Sequence, residues 1–165
     1  MHDNQITPRI NFISLLAYER PQAVAWVNGG VDYPRISGLV KFYQTSYGGI
    51  LVEAELFNLP DVDKEGASDF YAMHIHETGN CSDNFMSTGG HYNPKNTLHP
   101  EHAGDLMPLL ANQGYAYGVF YDKRFTIPDI TGRAVIIHLN PDDFTTQPTG
   151  NSGERIACGV IKKVI

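Results

Sequence analysis

Apolar and polar residues alternate with a period of two along several short stretches of this chain, and turn residues separate them. Residues 23–27 (AVAWV) run apolar into Asn28-Gly29-Gly30, a turn signal. In residues 36–44, Leu39, Lys41 and Tyr43 fall on one side, and Val40, Phe42 and Gln44 on the other. After Ser46-Tyr47-Gly48-Gly49, the residues Ile50, Val52, Ala54 and Leu56 alternate with Leu51, Glu53, Glu55 and Phe57, and Pro60 ends the run. Side chains two apart on a strand share a face, so these patterns predict half-buried strands. A fourth strand is predicted at residues 70–76, and strand patterns return at 115–121, 133–139 and 156–161. Short alternating runs with turns between them predict an antiparallel sandwich or barrel.

Two segments break the pattern. Residues 77–113 are rich in Gly, Asn, Pro and His and show no period. Loops this long are uncommon and are usually functional or disordered. A second polar loop, residues 140–154, precedes the last strand. Near the start, residues 10–18 (INFISLLAY) are apolar, but no basic cluster precedes them and no small-residue cleavage pattern follows. They read as a short helix or arm (residues 1–21) packed on one domain (residues 22–165). As it stands the chain reads as cytoplasmic, or as exported if it is the trimmed form of a longer precursor.

Composition narrows the class. A chain of 165 residues is about one domain with a real core. Its 16 glycines and 10 prolines suit many turns and few long helices. The net charge of −6, with no basic patch, argues against a nucleic-acid or anionic-membrane partner. No apolar run approaches the length of a membrane span.

Histidine carries the chemistry. Of seven histidines, only His2 lies outside the segment from His74 to His138. His74 and His76 are two apart on a predicted strand, so both rings leave one face. His138 closes another apolar strand (AVIIH). His91, His99, His102 and Asp105 lie in the long loop. Three imidazoles with a carboxylate make a tetrahedral set suited to zinc. An all-imidazole set suits copper as well as zinc. Any one of these histidines alone is more often a surface or hydrogen-bonded core residue than a ligand; the cluster is what points to metal. Cys81 and Cys158 could form one disulfide, although a reducing cytosol disfavours it.

The motifs HIHETGNC (74–81), GGHYNP (89–94), HAGDL (102–106), GRAVIIH (132–138), NPDDF (140–144) and TGNSGERIACGVI (149–161) resemble copper/zinc superoxide dismutase, in that family's order. The resemblance implies an eight-stranded Greek-key β-barrel or flattened sandwich with two long functional loops. It implies one copper and one zinc per subunit. His74, His76, His91 and His138 match the copper ligands, and His91, His99, His102 and Asp105 the zinc ligands, with His91 shared. Asp142 matches the carboxylate linking His74 to His99. Arg155 matches the arginine beside copper, Thr149 the threonine at the channel mouth, and Cys81 with Cys158 the intrasubunit disulfide. The implied reaction is dismutation of superoxide to oxygen and hydrogen peroxide by alternate reduction and oxidation of copper, during which His91 leaves copper and takes a proton. A structural zinc holds the loop.

Some features depart from many relatives. The loop before Arg155 lacks the charged residues many animal members carry, and Thr145-Thr146-Gln147-Pro148 fills the space. An anionic substrate then needs another source of attraction; Lys95, Lys123 and Arg124 are candidates. Only Pro100 and Glu101 separate His99 from His102, a compact zinc loop. Cys81 lies ten residues before His91, as in bacterial members. Most relatives are homodimers and some bacterial ones are monomers, so the resemblance leaves both a homodimer and a monomer open. The alternative function is a non-catalytic, zinc-only or copper-sequestering domain on the same fold. Such relatives usually lack a copper histidine or the arginine, whereas here all are present.

Overall fold

The alternation is realised as burial in a computed structural model that describes residues 7–60 and 68–165; His2 lies outside them. The chain forms α1 (Pro8–Tyr18), β1 (Ala23–Gly29), β2 (Ser37–Gln44), β3 (Ile50–Phe57), β4 (Phe70–Tyr71) and β5 (Met73–His76). Then come β6 (Leu109–Asn112), β7 (Tyr115–Asp122), α2 (Ile127–Ile130), β8 (Ala134–His138) and β9 (Arg155–Lys163). Every strand pairing is antiparallel, in the order β4-β6-β7-β3-β2-β1-β9-β8-β5.

The two ends of that order are one piece of chain. Residues 70–76, expected as a single strand, divide at Ala72: β4 pairs with β6 and β5 with β8. The sheet therefore nearly closes into a barrel, and the expected eight strands become nine among the described residues. Val40, Phe42, Val52, Ala54, Leu56, Ile75, Val135, Ile137 and Ile161 fill the interior. Each alternates with residues on the outer face, as a two-residue period requires. Across β2 and β3, Lys41 faces Glu53, with Nζ 3.0 Å from Oε2, an attractive cross-strand pair.

Two elements go beyond the pattern reading. β6 has only four residues, of which Leu109 and Ala111 are buried, too few for alternation to stand out in a loop. The short α2 begins where the Thr126 N–H and Oγ donate to Asp129 Oδ2 at 2.8 and 2.6 Å, a capping arrangement. Within the segment read as a short helix or arm, Pro8–Tyr18 form α1, none of whose residues is fully buried. It touches the barrel through Phe12, whose ring lies 5.1 Å from Tyr121 and 6.2 Å from Tyr47. Among the described residues, no helix is long and apolar enough to cross a membrane.

The site is built on the outside of this barrel. Met73 and Ile75 point into the core, so His74 and His76 must point outward. On β8, Val135 and Ile137 point inward, so Ala134, Ile136 and His138 line the same outer face. The loop from Glu77 onward folds back over that face and buries it.

Candidate metal centre

Pairing of β5 with β8 sets His74 opposite Ile136 and His76 opposite Ala134. His138 follows on the same face, its N–H donating to the Ala72 carbonyl. The loop returns so that His91 bridges to His76 and Asp105 to His74 in isolated strand-like pairs. Four rings then converge: His74, His76, His91 and His138 each offer a nitrogen, all within 4.8 Å of one another. His91, His99, His102 and Asp105 make a second such set. All seven residues are buried.

The hydrogen bonds show which atom each ring turns inward. His76 Nδ1 lies 2.9 Å from the Gly89 carbonyl, and His138 Nδ1 lies 3.3 Å from the Gly153 carbonyl. A carbonyl only accepts, so each Nδ1 carries the proton and each Nε2 keeps its lone pair. Those two Nε2 atoms sit 3.3 Å apart. His74 Nε2 is taken by Asp142 Oδ2 at 2.8 Å, which leaves Nδ1 facing the set. In the second set, His91 Nδ1 lies 2.7 Å from Asp105 Oδ1. His99 Nδ1 and His102 Nδ1 lie 3.0 and 3.2 Å from Asp105 Oδ2. His91 thus turns Nδ1 to one set and Nε2 to the other.

His74 Nδ1, His91 Nε2, His99 Nδ1 and His102 Nδ1 are buried with no hydrogen-bond partner. Orphaned polar atoms are rare in folded proteins and costly. Here they gather at two points, each ringed by ligand-type atoms, which is the pattern cations would satisfy. The donor chemistry fits: four imidazoles suit copper, and three imidazoles with a carboxylate suit zinc.

Asp142 ties the two sets together. Its Oδ2 accepts from His74 Nε2 and its Oδ1 from His99 Nε2, both at 2.8 Å, and Oδ1 also accepts the Phe144 N–H at 2.8 Å. The turn holding it needs Gly150, at φ +67°: a Cβ there would lie 2.0 Å from Asp142 Oδ1 and 2.6 Å from His99 Nε2.

A bulge aims Arg155. Ile137 faces Ala157, but His138 faces Arg155, so the register slips by one residue. Ile156 and Ala157 both turn into the core, and Arg155 emerges on the metal side. Bulges commonly re-aim a side chain in this way. Arg155 Nη1 donates to the Phe85 carbonyl and Thr88 Oγ1 at 2.8 and 3.0 Å, and Nη2 to the Gly89 carbonyl at 2.9 Å. That Gly89 carbonyl also orients His76, so the guanidinium and one ring share an anchor. The Cys81–Cys158 disulfide spans 77 residues and fixes the Phe85 loop to β9. Phe85, Ala134, Ile136 and Cys158 pack around it.

Burial keeps the rings of His74, His76 and His138 neutral. Burial, followed by the neighbouring rings, lowers His74 well below 6.5. Burial and the charges of His138 and His91 lower His76 to about 2. His138 falls to about 3, chiefly through burial. Burial pushes the Asp105 carboxyl up, but its hydrogen bond to His91 and the flanking imidazoles outweigh this, and the net shift is downward. Neutral imidazole and ionised carboxylate are the forms that bind metal.

The seven residues expected as ligands make up the two sets; Asp142 bonds His74 and His99, Arg155 shares the Gly89 carbonyl with His76, and Cys81 is bonded to Cys158. Thr149 is half-buried in the turn before Gly150. The candidate sources of substrate attraction fare differently. Lys95 and Lys123 are exposed, Lys123 with Nζ 5.7 Å from the centre of the Tyr121 ring. Arg124 is instead tied to Asp122, with Nη2 2.7 Å from Oδ2, and to loop carbonyls. Sequence reasoning missed the carbonyls of Gly89 and Gly153 and the Thr88 and Ser152 hydroxyls beside His76 and His138. Backbone carbonyls leave no residue-specific signal.

Known proteins agree with this geometry. The family model for copper/zinc superoxide dismutase (SODC) matches residues 36–161. A superoxide dismutase [Cu-Zn] of Legionella pneumophila is 39% identical over 137 residues, covering 78% of this chain and 80% of that protein. The crystal structure of the clock protein EA4 superposes with a TM-score of 0.73 at 31% identity, covering 87% of this chain and 96% of that one. A double mutant of a SOD-like protein from Bacillus subtilis superposes with a TM-score of 0.68 at 31% identity, covering 82% and 94%. With the motifs, the barrel and the paired ligand sets all in accord, the chain belongs to the copper/zinc superoxide dismutase family.

Proposed function

We propose the following division of labour for dismutation of superoxide, in which two superoxide anions and two protons give oxygen and hydrogen peroxide. His74 Nδ1 and the Nε2 atoms of His76, His91 and His138 hold copper. His91 Nδ1, His99 Nδ1, His102 Nδ1 and the Asp105 carboxylate hold zinc. The observation that carries this reading is the two-sided presentation of His91, with Nδ1 in one set and an orphaned Nε2 in the other. Bound copper supplies one-electron redox chemistry; zinc has a filled d shell and supplies none.

The chain's own residues do the rest. Asp142 fixes the tautomers of His74 and His99. Gly89 and Gly153 fix those of His76 and His138. His91 Nε2, free of any protein partner, is the atom that can hold a proton between the two half-reactions. Arg155 keeps a fixed positive charge beside the rings, where an anion must dock; burial lowers its pKa but leaves it a cation at neutral pH. Thr149 borders the approach. Residues 22–165 form the working domain, with residues 1–21 an appendage. A homodimer is the assembly to test, by sedimentation. The disulfide favours an exported protein over a cytoplasmic one, since such bonds persist in oxidising compartments.

The test is superoxide decay after loading with copper and zinc, using His76→Ala as control. The wild type should far outpace the control. Equal rates would overturn the enzymatic reading and leave the non-catalytic domain.

A further inference from the structure

The zinc loop has two external anchors that the motifs do not assign. Gln147, in the loop between β8 and β9, grips the main chain of His99 as another peptide group would. Its Oε1 accepts the His99 N–H at 3.0 Å and its Nε2 donates to the His99 carbonyl at 2.7 Å. Arg124, just past β7, grips the other end of the loop. Its Nη1 donates to the His102 carbonyl at 3.1 Å, and its Nη2 donates to the Asp105 carbonyl. The guanidinium is itself locked by Asp122, a buried residue at the end of β7 whose Oδ1 and Oδ2 lie 3.1 Å from Nε. All three zinc-set residues other than His91 are thus held through their backbone by side chains from elsewhere in the fold.

We infer that Gln147 and Arg124 are positioning residues for the zinc half of the site, and that they fix the ligand loop before zinc arrives. The inference rests on the ligand assignment proposed above. A loop with only Pro100 and Glu101 between two ligands has little length in which to order itself by its own contacts. Ligand sets held by packed, hydrogen-bonded supports lose less freedom on binding and release the ligand more slowly. Arg124 is suited to the task because its planar fork reaches two carbonyls and a carboxylate at once, which a lysine cannot do. Its charge is spent on Asp122 and the loop, so it acts on metal retention and not on attraction of superoxide.

The test compares Gln147→Met, Arg124→Lys and Lys123→Ala with wild type, all loaded with copper and zinc. Zinc and copper release to a chelator are followed separately. Cobalt(II) placed in the zinc half reports ligand geometry through its visible spectrum. Gln147→Met keeps side-chain length at an exposed position, so it tests the idea even if the arginine variant folds poorly. Gln147→Met and Arg124→Lys should release zinc at least tenfold faster, the scale typical of residues that orient ligands. Copper release should change less than twofold, and the cobalt spectrum should shift. Lys123→Ala should match wild type. Zinc release within twofold of wild type in both anchor variants would overturn the inference. A wild type that binds no zinc would instead overturn the ligand assignment beneath it.

Discussion

Removing the Asp142 carboxylate should weaken both metals at once. Its side chain is 1% exposed, and those of His74 and His99 are fully buried. Each carboxylate oxygen accepts from a different ring at 2.8 Å. With Nδ1 of each ring turned to a metal, each Nε2 must carry a hydrogen. Asp142→Ala leaves both N–H groups buried without an acceptor, at about 1–3 kcal/mol apiece. Part of that cost falls on folding and part on metal binding. Loss of such an orienting partner typically lowers metal affinity by about 10–100-fold, or about 1.4–2.7 kcal/mol. Asp142→Asn keeps one accepting oxygen for two donors, so its effect should fall between wild type and alanine. Competition titrations with chelators of graded strength, one series for copper and one for zinc, measure both affinities. If either metal binds the alanine variant within twofold of wild type, Asp142 does not couple the two halves.

Other expectations concern the shared ring, the disulfide and acid. His91→Ala should deplete both copper and zinc, while His102→Ala should deplete mainly zinc, as read by elemental mass spectrometry; equal losses in the two variants would deny that His91 is shared. Cys81→Ser opens a loop of 77 residues and should cost about 4–5 kcal/mol in the chain-entropy account, measured by urea unfolding. A loss below about 1 kcal/mol would mean that the bridge does not constrain the unfolded chain. In the metal-free protein, His76 and His138 stay neutral when folded, with pKa values of about 2 and about 3 against 6.5. The unfolded chain takes up protons that the folded chain refuses, so stability should fall as pH drops below about 6.5. The slope should reach about 1.4 kcal/mol per pH unit for each ring. A denaturation midpoint that is flat between pH 6.5 and 4.5 would contradict the burial of these rings.

Much of the site was legible because its chemistry sits on strands. The two-residue step from His74 to His76, and the apolar run ending at His138, are patterns that a sheet turns directly into geometry. The loop ligands were legible as a crowd, but their division into two sets came from the family motifs. Spacing alone does not say which nitrogen of His91 faces which neighbour. Arg155 reaches the site through a bulge, and a slip of one residue in register leaves no trace in composition. Gln147 reads as an ordinary polar loop residue because its partner, His99, is 48 residues away. The break at Ala72 was equally silent: residues 70–76 look like one strand, and only the need to pair with both β6 and β8 divides them.

The loop that carries the ligands also does a second job. β5 is the last strand in the sheet order, and its outer edge would otherwise lie open. The loop supplies the missing partners: Ile75 N–H donates to Gly104, the Ile75 carbonyl accepts from Tyr92, Glu77 N–H donates to Gly90, and the Met73 carbonyl accepts from Leu106. An uncovered strand edge is a template for strands of other molecules. Releasing that loop, by breaking its Gln147 and Arg124 anchors together with the bridge, would therefore bare an adhesive seam along MHIH as well as idling a catalyst. For this chain, the loop that presents the ligands is also a guard against self-association, and its release should show first as growth in particle size.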